Sequence, residues 1–485
     1  MHTKAHDLAK VRDAISKDSL PDKVADDLER HLDTLPELVF KPVLPPVDRG
    51  FAAWSTLAAS CLMGLFVFGF PNSAGVLLAA FLEDEIYSSQ PNAETILPLI
   101  GTLCTGILYC SGIVIHPTIR CWPRLRKVYV WTGTLLCFTS LLAASFTTNI
   151  MMLLALEGVM FGLGAAFVYC PLIWYMSEWF VARRGLANGI LFGADNAGGV
   201  LFPLIMPPLI ARLGIAQTTR VYALALAVCL LPAAWVMKAR TPAQSSNCAT
   251  KEAKEMKKAG KSEEKTRAWL RDRRFWFFAI MNTLQGLAHF VPTTWLPTFA
   301  ASLGLTPSHA ALALTLANGG MTLGGLAAGW ASDRASVWAL ALGSLVLSCA
   351  ATVLLWGVAS VSLAGVLACG AVYGVCAGAW SSLWSGFVRP VAADDAALAT
   401  TIFSVLFLGR GFGMLVSTPV TTALQQATLD ILPAGAPRLG FTVDGGQYLG
   451  VIVYASVCFA AGATLTVVGW ALDRRERSKK QVGKV

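Results

Sequence analysis

Residues 179–203 read WFVARRGLANGILFGADNAGGVLFP, and the reading of this stretch decides the fold. The aromatic pair Trp179-Phe180 is followed by the basic turn Arg183-Arg184-Gly185, then by an apolar, glycine-rich run with one acid, Asp195, near its middle. Arginines and aromatic rings suit the headgroup layer of a bilayer, and closely spaced glycines let a second helix approach. The stretch is therefore expected to be a very short loop that re-enters a membrane as a helix. An acid at mid-depth is costly in hydrocarbon, so Asp195 is expected to face protein or a water-filled path.

Composition points the same way. The 485 residues are 55% hydrophobic and 14% charged, with a mean hydropathy of +0.59, against roughly 25% charged in a soluble domain. No apolar signal region follows a basic start in the polar N-terminal tail, so no cleavable signal peptide is expected. Twelve apolar stretches come next, each long enough for the roughly 20 residues that cross a bilayer. They run over 51–82, 95–115, 127–147, 149–177, 185–211, 219–237, 275–301, 306–331, 335–357, 361–388, 396–425 and 447–471. The long polar segment between the sixth and seventh is rich in Lys, Glu, Ser and Ala and reads as a flexible linker. The expected fold is an all-α membrane protein with twelve transmembrane helices in two six-helix bundles. Its divisions are a tail at 1–50, a bundle at 51–237, a linker at 238–274, a bundle at 275–471 and a basic tail at 472–485.

Charge placement sets the expected orientation. Of the 38 Lys and Arg, 8 lie in the N-terminal tail, 12 in the linker, 6 in the C-terminal tail and 8 in short even-numbered loops. Arg212, Arg220 and Arg438 alone fall on the opposite side, where the first loop carries Glu83, Asp84, Glu85 and Glu94. The positive-inside rule then puts both termini in the cytoplasm. The net charge of +9 thus belongs to topology and implies no nucleic-acid partner. Membrane lipid surrounds the chain, and Arg474-Arg475-Glu476-Arg477-Ser478-Lys479-Lys480 can touch anionic headgroups. No organelle address is evident, so the plasma membrane is the expected location. The sequence sets no oligomeric state.

Enzyme chemistry finds no foothold. The 12 cysteines are scattered without a CxxC pair and the 6 histidines do not cluster, so neither a disulfide framework nor a metal site is expected. No GxxxxGK[ST] loop is present, which removes ATP as the energy source. No cofactor and no catalytic residue are expected.

The pattern Phe180-x-x-Arg183-Arg184-x-Leu186-Ala187-x-Gly189, continuing into Gly198-Gly199-Val200, resembles the helix 4–5 signature of the monocarboxylate-transporter family, fungal branch, in the major facilitator superfamily. Asp48-Arg49-Gly50-Phe51-Ala52-Ala53-Trp54 is similar to that family's entry to helix 1. Further likenesses are Gln285 to Phe290 with Trp295-Leu296-Pro297, Tyr373-Gly374 to Trp384-Ser385-Gly386, and Gly409-Arg410-Gly411-x-Gly413. Asn318, Gly324, Gly329 and Asp333-Arg334 resemble the superfamily's Gly-x-x-x-Asp-Arg loop motif. With Arg183 and Arg184, Asp333 and Arg334 are implied to act in gating. The likeness spans about residues 48–471 and implies a secondary transporter that works by alternating access. It departs at the ligand positions: animal lactate carriers have a lysine where Asn72 stands, and an acid and an arginine where Met321 and Gly325 stand. Their lactate–proton mechanism therefore does not carry over.

Ionisable groups at depth make a short list of Glu157, Asp195, His289 and Arg410, with Glu178 near the headgroups. Leu191-Phe192 precede Asp195 as Leu406-Phe407 precede Arg410, and glycine and proline follow both, so opposite charges hold equivalent places in the two halves. Arg410 is the candidate for a substrate carboxylate through a forked, charge-assisted contact. Glu157 or Asp195 is the candidate for a coupled proton. The same charges read equally well as a structural ion pair, and His289 as a satisfied interior histidine. Asn72, His289, Trp295, Tyr373 and Asn318 complete the candidate substrate site. Trp174, Tyr175, Trp380 and Trp384 are further candidate wall residues, while Gly320-x-x-x-Gly324 and Gly374-x-x-x-Gly378 read as helix-packing seams. The expected cargo is a small mono- or dicarboxylate, with or without a proton. A larger or neutral metabolite is the alternative, favoured by the missing lysine and arginine, and a transporter-like sensor is a remote one.

Overall fold

The computed structural model describes residues 45–180, 184–240, 268–332, 334–392, 396–427 and 438–482. Arg183, Asp333 and most of the tail and linker lie outside them. Among the described residues every regular element is helical, and eleven helices are long and apolar enough to cross a membrane.

The first span is α1 (Phe51–Asn72) and α2 (Ala74–Glu83), which meet at Ser73. Pro71 has no amide to give the helix ladder, and the Ser73 hydroxyl donates to the Gly69 carbonyl at 2.7 Å. After a one-turn helix, Glu85–Ser88, come α3 (Ala93–Cys121) and α4 (Leu125–Ala144). The fourth span opens with a turn at Ile150–Leu153, winds as a π-helix over Leu154–Met160 and continues as α5 (Phe161–Trp179). Next are α6 (Arg184–Leu213) and α7 (Ile215–Val236).

The seventh span departs from the single helix expected over 275–301. It is α8 (Arg273–His289) and α9 (Val291–Ser302), neither long enough to cross alone. The reason is local: Pro292, second in α9, lacks an amide for the carbonyl four residues back, and the chain kinks at Phe290. Beside the break, the Tyr373 hydroxyl donates to the His289 carbonyl at 2.6 Å. Beyond lie α10 (Pro307–Ser332), α11 (Val337–Ala350, then π-helical over Ala351–Ala359), α12 (Leu363–Ala392), α13 (Ala396–Ala427) and α14 (Leu449–Val482). The last helix runs on past the expected limit of 471 through the basic residues.

Two large apolar cores form, beside a small cluster of Ile115, Ile119, Ala166 and Cys170. One joins residues from Ala53 to Met237 together with Ala311 and Leu314, and the other joins residues from Phe275 to Ala463. The α10–α12 seam is as close as its glycines predict. A Cβ on Gly374 would run into the Ala317 carbonyl, and one on Gly378 into the Met321 backbone. Trp235, Trp276 and Trp54 show exposed rings near span ends, as interfacial anchors do.

Candidate functional site

Between the cores lies a cavity of about 170 Å³, an order of magnitude beyond the roughly 10–15 Å³ that one buried water occupies. Its walls come from the spans of α1–α2, α3, α5 and α6 on one side and α8–α9, α10, α12 and α13 on the other. Contacts near one end close it: Gly75 of α2 packs on the carbonyls of Thr293 and Thr294 in α9. Asn318 Nδ2 donates to the Gly199 carbonyl at 2.9 Å, and Gln426 Nε2 to Thr95 Oγ1 at 3.4 Å. Toward the other end, Gly189 and Gly193 of α6 look onto open space.

Arg410 on α13 is the lone Lys or Arg among the described residues that line the cavity. It is only 3% exposed. One terminal nitrogen donates to Ser381 Oγ at 2.9 Å, while Nε has no partner among the described residues. Its carbon Cζ stands 5.5 Å from the Phe290 ring and 5.7 Å from the Trp384 ring. Phe407 meets Trp384 edge-on at 4.9 Å and stacks on Tyr109 at 5.4 Å. A desolvated guanidinium inside an aromatic frame gains from the ring quadrupoles, and it keeps donors for an anion.

Asp195 does not pair with Arg410. Its Oδ2 accepts from the Tyr169 hydroxyl at 2.8 Å. The other oxygen lies where a Cβ on Gly64 would be, so the carboxyl is wedged into the α1–α6 crossing. Asn72 Nδ2 approaches the Asp195 carbonyl at 3.4 Å. Glu157 is different. It sits in the π-helical turn, 1% exposed, lines the cavity, and its Oε2 has no partner among the described residues. Above it, burial pushes the Tyr87 hydroxyl up in pKa, with Asp84 and Glu157 adding to the shift.

The remaining candidates divide. Asn72, His289 and Asn318 line the cavity, although His289 Nδ1 is already bonded to Gln285 Nε2 at 2.9 Å. Trp295 and Tyr373 stand behind the wall: Trp295 Nε1 donates to Thr421 Oγ1 at 3.1 Å, and the Tyr373 hydroxyl is spent on the α8–α9 break. Of the further tryptophan and tyrosine candidates, Trp384 alone lines the cavity. Trp174 donates to His116 Nδ1 at 3.0 Å and lies 5.2 Å from the Arg126 guanidinium, which pairs with Glu178. Arg184 opens α6, and Arg334 folds back over the Trp330 ring at 4.1 Å. Tyr109, Tyr169, Phe290 and Ser381 line the site without having been singled out. The signal for the two tyrosines was a hydroxyl in mid-span, which buries only with a partner. No cluster of metal ligands occurs among the described residues.

A family model described as Major Facilitator Superfamily matches residues 61–418. The chain is 27% identical over 289 residues to the MFS-type transporter pytF of Aspergillus terreus, covering 60% of this chain and 92% of the relative. To monocarboxylate transporter 10 of Rattus norvegicus it is 30% identical over 182 residues, 37% of this chain and 34% of that one. Among solved structures, a bacterial homolog of the human lysosomal transporter Spinster, inward-facing and unoccupied, superposes with a TM-score of 0.60 at 13% identity, covering 87% of this chain and 97% of that one.

Proposed function

From the premise that this chain belongs to the Major Facilitator Superfamily, and so is a multi-pass membrane transporter rather than an enzyme, we propose that its cargo is a small organic acid. One observation carries the reading: Arg410, buried, framed by Phe290 and Trp384, with a free Nε and no carboxylate partner among the described residues. A buried charge without a counter-ion is costly. An anionic cargo supplies that counter-ion through a forked contact, and the likeness to a monocarboxylate transporter supports the same class.

In this reading residues 51–237 and 275–471 are the two halves that rock about the site. Loops carrying Arg124, Arg126, Lys127, Arg184 and Arg334 mark the cytoplasmic side, where the open end lies, and the plasma membrane is the location. Glu157 is a better proton carrier than Asp195: both keep an oxygen without a partner among the described residues, but the Asp195 carboxyl is also held by Tyr169 and wedged beside Gly64.

Flux into proteoliposomes tests this. Labelled small carboxylates should enter the wild-type vesicles, and Arg410→Ala should abolish entry. Stimulation by an inward proton gradient, lost in Glu157→Gln, would establish the coupled proton. A folded protein that moves no carboxylate would overturn the organic-acid reading.

A further inference from the structure

The cavity is charged at two levels, and the levels can be measured along α3. Gly411, beside Arg410, packs on Gly106, Tyr109 and Cys110, whereas Gly158, beside Glu157, packs on Ile100 and Leu103. On average about seven residues of helix separate the two levels, roughly 10 Å at 1.5 Å per residue. Glu157 is at the closed end and Arg410 nearer the mouth. The wall between them carries Phe70, Thr102, Thr105 and Tyr109. Glu157 Oε2 and Arg410 Nε are buried without a partner among the described residues, as is Asp195 Oδ1, which is wedged beside Gly64.

We propose that the cargo is an elongated amphoteric molecule, with a carboxylate on Arg410 and, roughly 10 Å away, a cationic nitrogen on Glu157. The inference rests on the organic-acid reading and narrows it. A plain acid would satisfy Arg410 and leave the Glu157 carboxyl buried with an open oxygen. A cargo with an amine at its far end satisfies both, and it bridges the two halves, because Glu157 lies in the fourth span and Arg410 in α13. Both bonds are charge-assisted, the class that contributes most per contact.

The test is a molecular ruler. Dissociation constants for the detergent-purified full chain are measured by calorimetry for 4-aminobutyrate, 8-aminooctanoate and 11-aminoundecanoate, each beside the plain acid of equal chain length. The long amino acids should bind at least about tenfold tighter than their plain acids, the worth of one charge-assisted bond. The shortest should show no such gain. Glu157→Gln should erase the gain. An equal gain at every length, no gain at any length, or a gain that survives Glu157→Gln would overturn the proposal. If the plain acids bind no better to wild type than to Arg410→Ala, the organic-acid reading itself fails, and this inference with it.

Discussion

The Tyr169 hydroxyl donates to Asp195 Oδ2 at 2.8 Å, joining α5 to α6 beside the glycine that lets α1 approach. Removing one partner of a buried hydrogen bond leaves the other desolvated, at a cost of about 1–3 kcal/mol. Tyr169→Phe should therefore lower the Tm of the purified protein, and adding Asp195→Asn should recover part of the loss. A double-mutant cycle on thermal unfolding measures the coupling. Strict additivity would show that the bond contributes nothing.

Arg410→Lys separates charge from shape. Lysine keeps the positive charge and loses the fork, so carboxylate affinity should fall by about tenfold to a hundredfold, the worth of one to two charge-assisted bonds. Arg410→Ala should fall further. Equilibrium binding of a labelled carboxylate to both variants checks the order.

Asn318 reaches from α10 to the Gly199 carbonyl of α6 at the closed end. Asn318→Ala removes that tie, at about 0.5–1.5 kcal/mol. The closed-to-open ratio at that end should drop by a factor of about 2–13. Spin-label distances between α2 and α9 would report the shift, and an unchanged distribution would place the tie outside the conformational balance.

Two glycine substitutions should have opposite signs. Gly374→Val drives a side chain into the Ala317 carbonyl and should cost about 1–3 kcal/mol, as overpacking does. Gly189→Ala enters open space within α6 and should stabilise by about 0.4–1 kcal/mol through the unfolded chain. Thermal melts of the pair against wild type suffice.

Most of the helices were legible because a bilayer forces long apolar runs. The break at Phe290 was signalled by Pro292, yet a proline inside a span more often bends a helix than splits it. Side-chain depth was not legible. Tyr373, Trp380 and Trp384 lie seven and eleven residues apart on one face of α12, so periodicity treats them alike. Trp384 reaches the cavity while Tyr373, about 16 Å nearer the closed end, meets the kinked backbone. Asp195 was visible as a buried acid, but its direction depends on how far Gly64 lets α1 approach.

The π-helical turn at Leu154–Met160 gives this site an unusual route to variation. A π turn holds a residue more than α winding needs. Deleting one position between 158 and 160 would restore the regular register and swing Glu157 about 100° around the axis relative to α5. Two relatives could then share every side chain around the cavity and still differ in whether an acid reaches it. Selectivity would change by an insertion or deletion, with no substitution at any ligand-binding position. An ungapped alignment of the fourth span would pair residues that point in different directions.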